Sequence, residues 1–332
     1  MRYFSILTLF LVSWSSFAQR VPQSSCSPID IREVNPKISS SPALKAHFST
    51  PRNQDSIGWC YAFTSADLMS AELGHPVSGL HVSAIYNRFM LNDPKLREEI
   101  ESDRANNPAG FNFSQVYESG RVQMAIDQSV KNGWICSEKG LPFDKTKPNQ
   151  IHDLVKALEG LKPIAMINQL DKETVCREIS NILSPFILKS DEINQIADSL
   201  LKDNLNHTMS LFAENACTEH IKDIPPMNVK IVFKENDLDK FMKEVNFNIV
   251  KGRPQTVDYD VSHFTGYNGF HSSLIMGRRW NNGRCEYNIR NSWGKSCASY
   301  KAGIECNKEQ GTYWVSDEDL FKASNNIRYI SN

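Results

Sequence analysis

The sequence predicts an α+β fold of two lobes, a helical lobe first and a β-rich lobe last. Three observations point there: apolar residues at helical spacing between Ser56 and Gly133, amphipathic helical patterns over 148–225, and short β-type runs from Val229 onward. Residues 56–74 open on Ser56-Ile57-Gly58, close on Gly74, and carry Phe63, Ala66, Met69 and Leu73 at helical spacing, which predicts a buried helix with Cys60 near its start. Val122, Ala125, Ile126, Ser129 and Val130 predict a second helix that stops at Asn132-Gly133. Between 148 and 225 three apolar faces follow, Ile151/Leu154/Val155/Leu158, Ile179/Ile182/Leu183 and Ile193/Ile196/Leu200/Leu201, with Pro185 and Pro225-Pro226 as punctuation. This stretch reads as an inserted helical subdomain. The β runs are Val229–Phe233, Ser272–Met276, Glu286–Ile289 and Thr312–Val315, and Asn282-Gly283 is a hairpin signal because both residues tolerate positive φ.

Met1 to Phe4 carry one positive charge, Ile6 to Trp14 form an apolar run, and Ser16-Phe17-Ala18 puts small residues where a signal peptidase reads. A cleaved signal ending at Ala18 is expected, and with it a secreted or periplasmic protein. The run is shorter than the roughly 20 residues of a membrane span, and no later stretch exceeds it, so no integral membrane association is expected. The expected organisation is 1–18 signal peptide, 19–147 N-terminal segment and helical lobe, 148–225 insertion, and 226–332 β-rich lobe.

At 40% hydrophobic, 23% charged and a net charge of −1, the 332-residue chain has an ordinary globular composition, and it lacks the basic runs a nucleic-acid partner would need. A monomer is expected. His47, His75, His81, His152, His207 and His220 are scattered without ligand spacing, so neither a metal site nor a cofactor is expected. Eight cysteines in an exported chain point to disulfides. If one of them is a catalytic thiol, an odd number remains, and at least one more cannot pair within the chain.

A cysteine attacks a carbonyl carbon as its thiolate, which a helix N-terminus and a nearby imidazole favour. Cys60 occupies such a place. Gln54, six residues earlier, carries an amide that could join the Cys60 backbone N–H in stabilising an oxyanion. Two late histidines could serve as base for Cys60: His271, followed by Ser272-Ser273-Leu274-Ile275-Met276-Gly277, and His263, which lacks that downstream run. Asn291 offers a side-chain carbonyl that could orient an imidazole, within Asn291-Ser292-Trp293-Gly294.

The order Gln54, Trp59-Cys60-Tyr61-Ala62-Phe63, His271, Asn291-Ser292-Trp293-Gly294 resembles the papain-like cysteine peptidases. The resemblance covers roughly 48–145 and 228–318. It implies a two-lobed fold with a peptide or protein substrate bound between the lobes, Cys60 as nucleophile, His271 as base, Asn291 as its orienting partner, Gln54 as oxyanion donor, and Trp293 as a cover over the His–Asn hydrogen bond. Ser119-Gly120 resembles the strip whose backbone pairs with extended substrate. Trp59 and Phe270 are the remaining candidate supporting or substrate-binding positions. Tyr61 stands where the family usually has Trp, Trp59 where it has a small residue, and Ile57 where it has a disulfide cysteine, so the family's disulfide pattern does not transfer.

A lone Cys at a helix start is most often a small buried hydrophobe, and a lone His is most often structural. Order and spacing together outweigh those readings. An acyl-transferring enzyme, transglutaminase-like or an amidase, and a catalytically silent binding module are the alternatives to peptide hydrolysis. Two bridges are expected, one from local spacing and one because Cys176 and Cys217 are the only cysteines of the 148–225 stretch. Cys297–Cys306 would close a short loop, worth on the order of 2–3 kcal/mol, and Cys176–Cys217 would hold together an insertion that limits access to the cleft or packs outside it.

Overall fold

The computed structural model describes residues 21–95, 98, 102, 119–144, 146–202 and 205–331, so the expected signal peptide lies outside the described residues. A short strand, β1 (Ile29–Asp30), leads into α1 (Ile31–Val34), α2 (Pro36–Ser40) and α3 (Pro42–Ser49). Asp30, Asn35 and Ser41 cap these helices by accepting from the backbone N–H of Arg32, Ile38 and Leu44. Pro36 and Pro42 stand at helix starts, where a missing N–H costs nothing.

Next come α4 (Cys60–Leu73), α5 (Gly79–Asn92), α6 (Val122–Asn132), β2 (Trp134–Cys136), α7 (Gln150–Ile167), α8 (Lys172–Ile182), α9 (Ser190–Lys202) and α10 (Leu205–Ala216). Helix α4 is buried continuously from Tyr61 to Ala71, as expected of a helix enclosed on all sides. It ends where Gly74 takes the left-handed conformation, φ 77°, and donates its N–H to Ser70. Helices α7 to α10 share one apolar core with α4 to α6, through residues such as Phe63, Leu154 and Phe212.

The remainder is β3 (His220–Lys222), β4 (Val229–Phe233), α11 (Leu238–Val250), β5 (Gln255–Asp260), β6 (Phe270–Asn281), β7 (Arg284–Arg290), β8 (Glu305–Asn307), β9 (Thr312–Ser316), α12 (Asp317–Ala323) and β10 (Ser324–Ile330). An 8-stranded antiparallel sheet runs β4-β10-β5-β6-β7-β9-β8, with β1 added along β6. A second core lies between this sheet and α11 and α12, around Phe241, Val257, Tyr287 and Leu320. The fold is thus α+β, helical first and sheet-rich last. The β6–β7 hairpin turns at Asn282 (φ 48°) and Gly283 (φ 78°), the conformation the Asn-Gly pair predicts. Because Leu274 pairs with Arg290, this hairpin brings His271 at the start of β6 and Asn291 just past β7 to the same end of the sheet.

Three disulfides form: Cys26–Cys285, Cys136–Cys217 and Cys297–Cys306; Cys60 and Cys176 are free. The expected Cys176–Cys217 bridge is therefore a misassignment. Strand β3 pairs with β2, setting Cys136 opposite His220 and within reach of Cys217, while Cys176 on α8 donates to the Asn194 side chain. The bridge ties the end of the helical stretch back to β2, not to its own interior. Among the described residues, no helix is long and apolar enough to cross a membrane.

Gly277 explains how β1 docks. A Cβ there would run into the carbonyl oxygen of Ile29, the residue paired with Arg278. Gly277→Ala is expected to destabilise the protein by about 1–3 kcal/mol, the usual cost of forcing an extra group into a packed contact, read as a lower denaturant midpoint. An unchanged midpoint would mean that β1 contributes nothing there.

Candidate active site

Cys60 is the first residue of α4 and keeps part of its surface exposed. Its sulfur lies beside the N–H of Ser272 from β6, together with the Tyr61 N–H and its own. Burial outweighs these donors and pushes the thiol up to about 11, with the Asp258 carboxylate acting in the same direction. The Ser272 backbone grips α4 at both ends of its peptide, since its carbonyl accepts from the Thr64 hydroxyl at 2.9 Å. Ser272 directly follows His271. This double grip brings the first turn of α4 against the histidine strand.

His271 is buried, and its Nε2 lies 2.7 Å from Asn291 Oδ1. Burial pushes the imidazole down to about 4, opposed by the Asn291 bond and by the Asp258 carboxylate. Trp293 packs on one side of the ring at a centroid distance of 4.6 Å, and Tyr259 meets it edge-on at 5.6 Å. Asn291 Oδ1 also accepts the Ser292 N–H at 2.7 Å, and Asn291 Nδ2 donates to the Tyr300 hydroxyl at 2.7 Å. A backbone N–H can only donate, so the oxygen of the amide must face Ser292 and His271. His271 Nε2 then carries the proton, and Nδ1 is left as an acceptor. His263, by contrast, sits exposed on a turn over Val261–His263.

Gln54 is buried and fixed by the Asn291-Ser292-Trp293-Gly294 segment. Its N–H donates to the Ser292 carbonyl at 2.8 Å, its Oε1 accepts from the Ser292 hydroxyl at 2.5 Å, and its Nε2 donates to the Ile57 carbonyl at 2.8 Å. Gly294 N–H to the Arg52 carbonyl at 2.7 Å and the Asn53–Trp293 bridge extend the clip on either side. Beneath it, Asp67 accepts from Arg52 at 2.7 Å and Arg290 at 3.0 Å and lies 2.9 Å from His47 Nε2, all of them buried.

Gly120 lies flat against Tyr61, whose ring carbons would be 2.7 Å from a Cβ at that position, so no side chain fits there. Ser119 and Gly120 are half-buried. Trp59 is fully buried and packs edge-on against Phe143 at 6.2 Å, a supporting position that a substrate does not reach. Phe270 is 76% exposed and Tyr267 62% exposed, close in sequence to His271. Ser292, Tyr300 and Asp258 were not singled out in the sequence, although Asp258 pairs with Ser272 in the sheet and accepts its hydroxyl at 2.8 Å. Among the described residues, no group of three or more His, Cys, Asp or Glu side chains could hold a metal ion.

No family model matches the chain, and no curated protein matches it. Among solved structures it is similar to one described for the mite allergens Blo t 1 and Der p 1, at 13% identity over 96% of this chain and 74% of that one, TM-score 0.45. It is also similar to digestive procathepsin L 3 of the Tenebrio molitor larval midgut, at 10% identity over 95% and 75%, TM-score 0.42. A third is the bromelain protease of Ananas comosus in complex with the E64 inhibitor, at 13% identity over 94% and 99%, TM-score 0.42.

Proposed function

We propose that the chain is a papain-like cysteine peptidase that hydrolyses peptide bonds through a Cys60 acyl-enzyme, with His271 as general acid and base. The observation that carries this reading is the convergence of four residues from two stretches more than 200 positions apart. Cys60 is held against the residue after His271, His271 is bonded to Asn291, and Gln54 is bonded to the residue after Asn291. Three disulfides support an exported protein.

The peptide lies between the helical and the sheet-bearing parts, its backbone along Ser119-Gly120. Nδ1 of neutral His271 takes the thiol proton as the Cys60 sulfur bonds to the carbonyl carbon. The oxyanion receives the Cys60 N–H and the second hydrogen of Gln54 Nε2, the first being committed to Ile57. The C–N bond then breaks, and the imidazolium gives its proton to the leaving amine. Water, deprotonated by His271, hydrolyses the thioester and restores the thiol. Asn291 holds the imidazole in the required tautomer, and Trp293 keeps water from that hydrogen bond, where a drier environment strengthens it.

The test is a peptide-library profile paired with labelling by a thiol-directed epoxide. Hydrolysis and labelling at Cys60 are expected together. Labelling without hydrolysis of any peptide, or transfer to an added amine in preference to water, would overturn the peptidase reading.

A pH dependence follows. With His271 pushed down to about 4 and Cys60 up to about 11, the free enzyme holds a neutral thiol and a neutral imidazole across the range between. Below the lower value the imidazole is protonated and cannot take the thiol proton. Above the upper one no proton is available for the leaving amine. The profile of kcat/KM, which reports the free enzyme, is expected to be flat between those limits. An alkaline limb near neutrality would show that the resting pair is an ion pair instead.

A further inference from the structure

We infer that Tyr300 is a positioning residue for the catalytic imidazole, and that the Cys297–Cys306 loop is its mount. The inference rests on the peptidase reading of the site but is tested separately from it.

Asn291 can serve His271 in only one orientation. Were its amide turned over, the NH₂ group would face Nε2, which would then have to accept, and the ring proton would move to Nδ1. An imidazole protonated at Nδ1 cannot take the thiol proton. Two contacts hold the amide. The Ser292 N–H, which can only donate, opposes the flip by binding the oxygen at 2.7 Å, and the Tyr300 hydroxyl, accepting from the nitrogen at 2.7 Å, fixes where the amide sits relative to the imidazole. The first is local backbone. The second comes from a loop nine residues further on, so it persists only if that loop is fixed.

The loop is fixed from several directions. Cys297 and Cys306 close it covalently, with Cα atoms 5.9 Å apart. Tyr300 forms an antiparallel bridge with Thr265, and the next residue, Lys301, donates its N–H to the Phe264 carbonyl at 2.9 Å. The Tyr300 ring stacks on Trp293 at 6.0 Å with an interplanar angle of 30°, and meets the Tyr313 ring at 4.6 Å, tilted by 35°. One tyrosine therefore touches both the residue that orients the base and the residue that covers it. Burial pushes its phenol upward, keeping it neutral across the working range.

Tyr300→Phe keeps the ring contacts and removes only the hydroxyl, so the variant is expected to fold. Its kcat is expected to fall about tenfold, the kinetic equivalent of one neutral hydrogen bond, with KM unchanged. In an Asn291→Ala background the same change is expected to do nothing further, because the partner is already gone. A Cys297→Ser/Cys306→Ser double variant, which leaves the Cys60 thiol untouched, is expected to lose a similar factor and to be insensitive to Tyr300→Phe. Alkylation of Cys60 by iodoacetamide, followed against pH, reports the imidazole without any peptide, and its acid limb is expected to move in Tyr300→Phe.

If the parent protein hydrolyses no peptide but the alkylation profile still moves, the peptidase reading fails and the positioning role stands. If the parent hydrolyses peptides while Tyr300→Phe keeps parental kcat and an unmoved alkylation profile, the positioning role is overturned. Losses that add in the Asn291→Ala background overturn it as well, since they would show that Tyr300 acts by packing alone.

Discussion

Cys60→Ala is expected to abolish peptide hydrolysis and epoxide labelling while leaving the fold intact. Its sulfur lies beside backbone N–H groups that water can also satisfy, and the residue retains exposed surface at the start of α4, so its loss opens no enclosed apolar void. His271→Ala should cost several orders of magnitude, because in the proposed mechanism proton removal from the thiol and proton delivery to the amine both pass through it. Gln54→Ala should cost about 10²–10³, the usual loss for one oxyanion donor. His263→Ala should cost little, since that residue is exposed on a turn. Steady-state kinetics on one good peptide rank the four variants. Cleavage by Cys60→Ala at a rate comparable to the parent would end the mechanism, and a larger loss at His263 than at His271 would reassign the base.

The parts of the fold visible in the sequence are those whose pattern is local. Helices α4 and α6 each end at a glycine in the left-handed conformation, and the β6–β7 turn uses an Asn-Gly pair, so turn chemistry announces all three. Helices α7 to α9 show apolar faces because one side of each meets the core. Strands β5 and β10 gave no such signal. Gln255, Thr256, Ser324, Asn326 and Arg328 are polar yet buried within them, which removes the alternation that would mark a half-exposed strand. Helix α5 shows no amphipathic pattern for a related reason, since burial from Leu80 to Asn87 leaves no contrast between its faces.

The candidate site divides along the same line. Gln54, Cys60, His271 and Asn291 are recognisable because each sits in a short stretch of fixed order. The residues that hold them were not visible, because their partners are set by topology. Ser292 meets Gln54 across 238 positions, and Arg290 meets Asp67 across 223. Cys217 failed in the same way: nothing local to it reveals that β3 pairs with β2 and delivers it to Cys136.

Asp67→Asn is expected to destabilise the protein by about 3–5 kcal/mol, the range for leaving a buried charge without its partner. Asp67 lies between two buried guanidinium groups. Arg290 depends on it for its anionic contact, and Arg52 shares it with Glu138. Arg290 and Arg52 together hold the Asp67 carboxyl far below the usual carboxylate range, against the effect of burial. Its folded value lies below its unfolded one, so its contribution is present above the unfolded value and is lost as pH falls through the folded value. His47 adds to this at Oδ1, the oxygen it shares with Arg52. Burial and the two arginines push it from 6.5 down to about 4 in the folded protein. Between those values the unfolded chain binds a proton that the folded one refuses, so stability is full above the upper value and declines as pH falls through the window. Denaturant midpoints measured across that window should therefore decline toward acid in the parent and less steeply in His47→Gln. The consequence reaches the candidate site because the cluster joins three of its segments: Asp67 is two turns along α4 from Cys60, Arg290 adjoins Asn291, and Arg52 precedes Gln54 by two residues. Removing one carboxylate should loosen all three, so residual activity at a temperature where Asp67→Asn is still folded should fall in kcat. A parental midpoint for Asp67→Asn at neutral pH would show that the two arginines are satisfied without it, and the cluster would then have no part in holding the site together.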